Sequence, residues 1–316
     1  MPNCNVLHTT TRCNLDCKYC YEKRNRDMPG FQHYDTTEEE VVEFLRKTQE
    51  LEPDRVSSVV LFGGEPTLNM ELIRFIYKTA VEYPENSFFF NITSNGIKFA
   101  AESFAKEFFD FLKTTKEQGI GTSLDISYDY QGNNLRVYPD GRDSTPDVKV
   151  AIDAANDYLV ANPDAFDFRI RCTIQHMNYD KILQNSIYTF EKYKTVSRII
   201  YTYAYNDMIE HFGDEFFNEY INEYTTKLVE LGKMYDKYIC FQTELCSMCK
   251  KCTIADDGIK YRYQTPGSDK ETYLLEGKAK EFNLFHNLVK PIEKDGDVKL
   301  EELKEGIEVI KGIINE

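Results

Sequence analysis

Short β-branched and aromatic runs alternate with amphipathic stretches from residue 3 to residue 235 of this 316-residue chain. Residues 3–9 read as a first strand. Thr36-x-x-Glu39 is a capping box, and helical spacing follows through Val41, Val42, Phe44 and Leu45. Val56 to Phe62 is a second strand, ended by Gly63-Gly64, and Leu68, Leu72, Phe75 and Ile76 mark a second helix. Ser87 to Thr93 is a third strand, closed by Ser94-Asn95-Gly96 and followed by a helix through Phe104, Phe108 and Leu112. Ile120 to Ser127 is a fourth strand. Residues 128–144 form a loop rich in Gly, Asp and Asn, and Thr145-Pro146 then caps a helix reaching about Val160. Strands at Phe166–Gln175 and Val196–Tyr205 alternate with helices at 180–193 and 214–235. Six strand–helix units in strict alternation predict a parallel α/β architecture. Periodicity alone does not separate a barrel from a doubly wound sheet.

The chemistry concentrates in cysteines. Cys13, Cys17 and Cys20 stand at C-x3-C-x2-C spacing directly after the first strand. Three thiolates this close can hold three corners of a cubic cluster, whereas a standard [4Fe-4S] site uses four. No fourth cysteine follows nearby, so one iron would stay open to a non-protein ligand. A zinc site or a ferredoxin-type site completed from elsewhere are the rival readings. Cys240, Cys246, Cys249 and Cys252 form a second set within thirteen residues. Four thiolates suffice for one complete [4Fe-4S] cluster or one tetrahedral zinc, and their tight packing resembles a ferredoxin run more than a zinc ribbon. The remaining two of nine cysteines, Cys4 and Cys172, lie in strand-like runs and read as small buried hydrophobes.

Composition narrows the class. A formal charge of −15 argues against a general nucleic-acid binder. The sequence shows no apolar run of signal-peptide or membrane-spanning length, which gives the expectation of a soluble, cytoplasmic protein without a membrane partner. Clustered cysteines then point to metal binding in a reducing compartment rather than to disulfides.

The cysteine motif, read together with Gly63-Gly64-Glu65-Pro66, resembles the radical S-adenosylmethionine (radical SAM) enzymes. The resemblance implies a partial (β/α)6 TIM-like barrel. It implies a [4Fe-4S] cluster on Cys13, Cys17 and Cys20 whose open iron binds S-adenosylmethionine, and an external electron donor of flavodoxin or ferredoxin type. In (β/α) barrels the loops after the strands build the active site, and the motifs fall there. By resemblance, Gly63, Gly64 and Glu65 hold the ligand's amino group, Tyr19 lies beside adenine, and Ser94 and Asn95 lie near the ribose and carboxylate. Ser123 on strand four and Arg142 before the fourth helix resemble carboxylate contacts, and Ile174 an adenine wall. Glu65 has a structural alternative as an ion-pair residue, Tyr19 as packing, Ser94 and Asn95 as a helix cap, and Arg142 as a surface charge.

The second cysteine set, followed by Ala255-Asp256-Asp257-Gly258-Ile259, resembles the SPASM or twitch extensions that carry auxiliary clusters. The match is partial, because Lys260-Tyr261-Arg262-Tyr263 lacks the further cysteine usual there. The implied organisation is a barrel over 1–212, a bridging helix over 213–238, and an auxiliary-cluster region with a docking helix over 239–316. The docking helix rests on an apolar stripe through Leu300, Leu303, Ile307, Ile310 and Ile314. SPASM-like enzymes typically modify peptides or proteins, so a peptide or protein side chain is the implied substrate. Small-molecule or RNA modification, a non-catalytic iron–sulfur electron-transfer protein, and a zinc-binding structural protein are the alternatives. Tyr201, Tyr203 and Tyr205 share one face of strand six and read equally as cavity lining or as packing.

Overall fold

Alternating side chains organise the first of two units, residues 1–127, 134–168 and 258–276. In a computed structural model, strands β1 (Asn3–Thr10), β2 (Ser57–Gly63), β3 (Phe88–Ser94) and β4 (Gly121–Ser127) pair in parallel. The structure describes residues 3–20, 22–23, 30–51, 53, 56–85, 87–130, 135–204, 210–213, 227–228, 230–241, 259–264, 274–277, 307–312 and 314. Register places Leu7, Leu61, Ile92 and Leu124 in one row, and all four are fully buried. Burial of each such side chain contributes about 1.5–3 kcal/mol. That face meets the helices α1 (Glu38–Leu51), α2 (Met70–Ala80), α3 (Glu102–Glu117) and α4 (Thr145–Ala161). Tyr77 of α2, for example, packs against Phe90 at 4.6 Å between ring centroids and shares a 2.7 Å hydrogen bond with Thr122. The opposite face carries His8 beside Phe62 and Thr93 beside Asp125.

Two helix starts differ by one residue from their predicted positions. The capping box uses Thr37 and Glu40: Thr37 N donates to Glu40 Oε2 at 2.8 Å, and Glu40 N to Thr37 Oγ1 at 3.2 Å. Thr36 cannot serve because its buried hydroxyl donates to the carbonyl of His8. At α4 the cap position is Ser144, whose hydroxyl donates to the Arg136 carbonyl at 2.8 Å; Asp143 Oδ1 accepts from Thr145 N at 3.0 Å.

The order of strands in this unit is β4-β3-β2-β1-β8-β9, with β8 at Ile259–Gln264 and β9 at Leu274–Gly277. β8 runs parallel to β1, Val6 opposite Tyr263. The predicted strand after the second cysteine set therefore exists, and it covers the outer edge of the first strand.

The second unit comprises residues 128–133, 169–257 and 277–316, and the division falls inside β5 (Asp167–Ile174). It contains α5 (Ile182–Lys192), β6 (Val196–Tyr203) and β7 (Tyr238–Phe241), with β6 parallel to β7 and Ile200 opposite Cys240. Its core includes Ile170, Cys172, Ile174, Ile182 and Leu231, so Cys172 is the buried hydrophobe its strand position predicts. Tyr201 is fully buried. Its phenol hydrogen-bonds Ser186 of α5 and lies 3.5 Å from the phenol of Tyr130. It is packing rather than cavity lining. The side chains of Tyr203 and Tyr205 lie outside the described residues, as does most of the helix predicted over 214–235.

The alternation from β1 to β6 is that of an α/β protein of the partial (β/α)6 barrel class. Among the described residues no helix is long and apolar enough to cross a membrane.

Candidate iron–sulfur and cofactor site

The loop after β1 carries Cys13, Cys17 and Cys20, and each of the three is a thiol outside any disulfide. Backbone hydrogen bonds clamp the loop from two sides. Gly64 N donates to Thr10 O and Glu65 N to Arg12 O, each at 2.8 Å, which ties it to the turn after β2. Asp16 N donates to Val137 O at 2.7 Å and Lys18 N to Leu135 O at 2.9 Å, which ties it to the segment before α4. Arg12 adds an ion pair to Asp35 at 2.6 Å. Both partners are largely exposed, so the pair adds little stability.

The donor set fits an iron–sulfur cluster. Two N–H groups point at one sulfur: Leu15 N lies 3.4 Å and Asn95 Nδ2 3.8 Å from Cys13 Sγ. Such donors suit a thiolate. Among the described residues no three metal-ligating side chains converge on a single point. Cys13, Cys17 and Cys20 are nonetheless three free thiols on one short loop, the donor type that holds iron–sulfur clusters.

Gly63 and Gly64 permit the clamp. Gly63 has φ +140°, and a Cβ there would stand 2.2 Å from Thr10 O. A Cβ on Gly64 would stand 2.2 Å from Arg12 O. No side chain fits at either position without moving the cysteine loop.

Glu65 is almost wholly buried and joins two loops. Its Oε1 accepts from Thr67 N at 3.1 Å, Thr67 Oγ1 at 2.6 Å and Ser94 Oγ at 2.8 Å. Its Oε2 accepts from Asn95 N at 2.6 Å. Burial raises its pKa, and the four donors oppose that rise. The carboxylate is thus occupied by protein donors.

Ser94 and Asn95 are likewise engaged. Ser94 Oγ accepts from Gly96 N at 3.0 Å, and Asn95 Oδ1 from Ile97 N at 3.0 Å, so both shape the turn after β3. Ser123 is fully buried and donates to Asn91 Oδ1 at 2.7 Å; Asn91 Nδ2 donates on to Ser58 Oγ at 2.9 Å.

Arg142 is not brought to the cysteine loop. It is exposed, pairs with Asp140 at 2.7 Å and lies over the ring of Tyr138. The arginine that reaches the loop is Arg136, which sequence reasoning missed. It is buried, and its Nη1 donates to the Tyr19 hydroxyl at 2.8 Å. Its one sequence signal was its place between Leu135 and Val137, an apolar island within a polar loop. Ile174 is buried in the second unit. Of the second cysteine set, the backbone of Cys240 lies in β7; Cys246, Cys249 and Cys252 lie outside the described residues.

A three-cysteine loop stands at the carboxyl end of the first strand of this α/β protein, clamped by a double-glycine turn after the second. Residues 7–162 match the sequence model of the Radical SAM superfamily, and this part of the chain is a radical SAM domain. It is 31% identical over 145 residues to the uncharacterized protein MJ0907 of Methanocaldococcus jannaschii, across 45% of this chain and 44% of that protein. The match therefore spans less than half of that relative. A hexahistidine-tagged anSMEcpe with bound AdoMet is similar in structure, with a TM-score of 0.56 and 19% identity over 80% of this chain and 66% of that one. Streptococcus suis SuiB bound to precursor peptide SuiA follows at a TM-score of 0.51 and 16% identity, over 76% and 48% of the two chains. At these identities the two structures share the fold.

Proposed function

We propose that this protein is a radical SAM enzyme acting on a peptide or protein side chain. The carrying observation is the cysteine loop, with hydrogen-bond donors aimed at Cys13 and a glycine turn packed against its backbone. When bound, a reduced [4Fe-4S] cluster and S-adenosylmethionine supply a 5′-deoxyadenosyl radical that takes a hydrogen atom from the substrate. Cys13, Cys17 and Cys20 would hold the cluster, three thiolates leaving one position for the ligand. Carbonyls of the Gly63-Gly64 turn accept from the ligand's ammonium group, and Glu65 fixes that turn from behind. The buried guanidinium of Arg136 would pair with the ligand's carboxylate, and Tyr19, hydrogen-bonded to Arg136, would flank the adenine. Ser94, Asn95 and Ser123 shape the pocket wall. Cys240, Cys246, Cys249 and Cys252 hold an auxiliary [4Fe-4S] cluster, and a flavodoxin or ferredoxin supplies electrons.

The peptide reading draws its support from the partial SPASM-like cysteine spacing and from the fold shared with SuiB, a protein seen with a precursor peptide. The test is anaerobic. Reconstituted, reduced protein is given S-adenosylmethionine and 5′-deoxyadenosine is quantified, with Cys17→Ala as control. Product that vanishes in the variant supports the reading. A fully loaded, reducible cluster that neither binds nor cleaves S-adenosylmethionine overturns it. Iron content that stays the same in Cys249→Ala overturns the auxiliary cluster.

A further inference from the structure

Asn95 is held through both its backbone and its side chain. Its backbone N donates to Glu65 Oε2 at 2.6 Å, and its Oδ1 accepts from Ile97 N at 3.0 Å. Its Nδ2 lies 2.7 Å from Asn14 Oδ1 and 3.8 Å from Cys13 Sγ. The amide cannot be turned over. Rotation would set its NH2 against the backbone N–H of Ile97, donor to donor, and its oxygen against the Cys13 sulfur. A side-chain N–H is therefore aimed at Cys13 by the fold itself.

We propose that Asn95 is a redox-tuning residue, whose N–H···S contact with Cys13 raises the reduction potential of the cluster that Cys13 helps to hold. This rests on the radical SAM reading above. Hydrogen bonds to cluster sulfurs draw electron density from them and favour the more negative, reduced state. The donor is positioned rather than mobile, because Glu65, itself buried and joined to Thr67 and Ser94, fixes the Asn95 backbone. The turn that shapes the ligand pocket and the sulfur of a cluster ligand are thus connected through one amide. In the metal-free protein the same N–H still lies against the Cys13 sulfur and bears on its reactivity.

The test uses the full chain and three variants. Asn95→Asp keeps an acceptor for Ile97 N and loses the donor to sulfur. Asn95→Ala removes both. Asn14→Ala removes the neighbouring acceptor and leaves the N–H on Cys13. Midpoint potentials are measured by EPR-monitored titration of reconstituted protein without S-adenosylmethionine. Separately, the rate of iodoacetamide alkylation at Cys13 is measured in metal-free protein by peptide mass spectrometry. Both Asn95 variants are expected to lower the potential and to slow alkylation about five-fold, the worth of one ordinary hydrogen bond, while Asn14→Ala moves neither downward. An unchanged potential and rate in Asn95→Asp overturns the proposal. So does an equal fall in Asn14→Ala, which would mean general loosening of the loop. Failure of the wild type to load iron would count against the radical SAM reading instead, and the alkylation arm would still decide whether the hydrogen bond acts on Cys13.

Discussion

Arg136 donates a 2.8 Å hydrogen bond to the hydroxyl of Tyr19, bridging a separation of 117 positions in the chain. The bond ties the segment before α4 to the residue preceding the last cysteine of the loop. Arg136→Lys keeps the charge but loses the planar fork. It is expected to weaken S-adenosylmethionine binding to reconstituted protein about ten-fold, in the range of one charged hydrogen bond. Isothermal titration calorimetry reads this directly. Arg142→Ala, at an exposed site, is expected to bind as the wild type does.

Why Arg142 drew attention before Arg136 is a matter of what a sequence displays. Arg142 stands beside the fourth helix, but Asp140 two residues earlier satisfies it at the surface. The burial of Arg136 depends on contacts with residues 16–19, which no local pattern records. The strand–helix alternation and the cysteine loop were legible because both are local and periodic. The capping box was ambiguous by one residue, since Thr36-Thr37 precedes Glu38-Glu39-Glu40 and two frames fit. Only the burial of Thr36 against His8 decides between them. The facing of Tyr201 was undecidable because strands of parallel sheets are buried on both sides.

Gly64→Ala is expected to be among the most damaging single changes in the first unit. The added methyl would overlap the Arg12 carbonyl, which is backbone and has nowhere to retreat. A loss of about 3 kcal/mol is expected, seen as a lower urea midpoint and reduced iron content after reconstitution. Wild-type iron content in a stable variant would show that the clamp is not needed for the cluster.

Glu65→Ala leaves Thr67 N, Thr67 Oγ1, Ser94 Oγ and Asn95 N without their acceptor. Buried donors without partners are costly, and a destabilisation of about 3 kcal/mol is expected. Glu65→Gln, which retains one acceptor oxygen, should fall between the variant and the wild type. Chemical denaturation of all three proteins checks the ranking.

His8 gives a pH signature. Burial holds its imidazole below the ordinary value of 6.5, with Glu22 opposing. Between 6.5 and the lowered value, the unfolded chain carries a proton that the folded protein lacks. Stability therefore falls as pH drops through that window. The difference in unfolding free energy between wild type and His8→Leu is expected to change with pH there and to level off above it. A difference independent of pH from 5 to 8, the range in which histidine changes charge, would contradict the assigned shift.

Cysteine substitutions should separate by position. Cys13→Ala, Cys17→Ala and Cys20→Ala are each expected to abolish loading of the N-terminal cluster. Cys172→Ala removes a fully buried thiol from the core of the second unit and is expected to lower stability without changing iron content. Iron and sulfide analysis beside thermal unfolding distinguishes the two outcomes.

The pairing of β8 with β1 has a consequence for biosynthesis. Residues 3–7 lie opposite residues 260–264, so the first strand emerges from the ribosome long before its second neighbour exists. At typical elongation rates of about 5–20 residues per second, that edge waits on the order of ten seconds or more. During this interval the nascent chain offers one unpaired strand edge next to three free thiols. Loading of a cluster is therefore best timed after the strand at 259–264 has paired with the first.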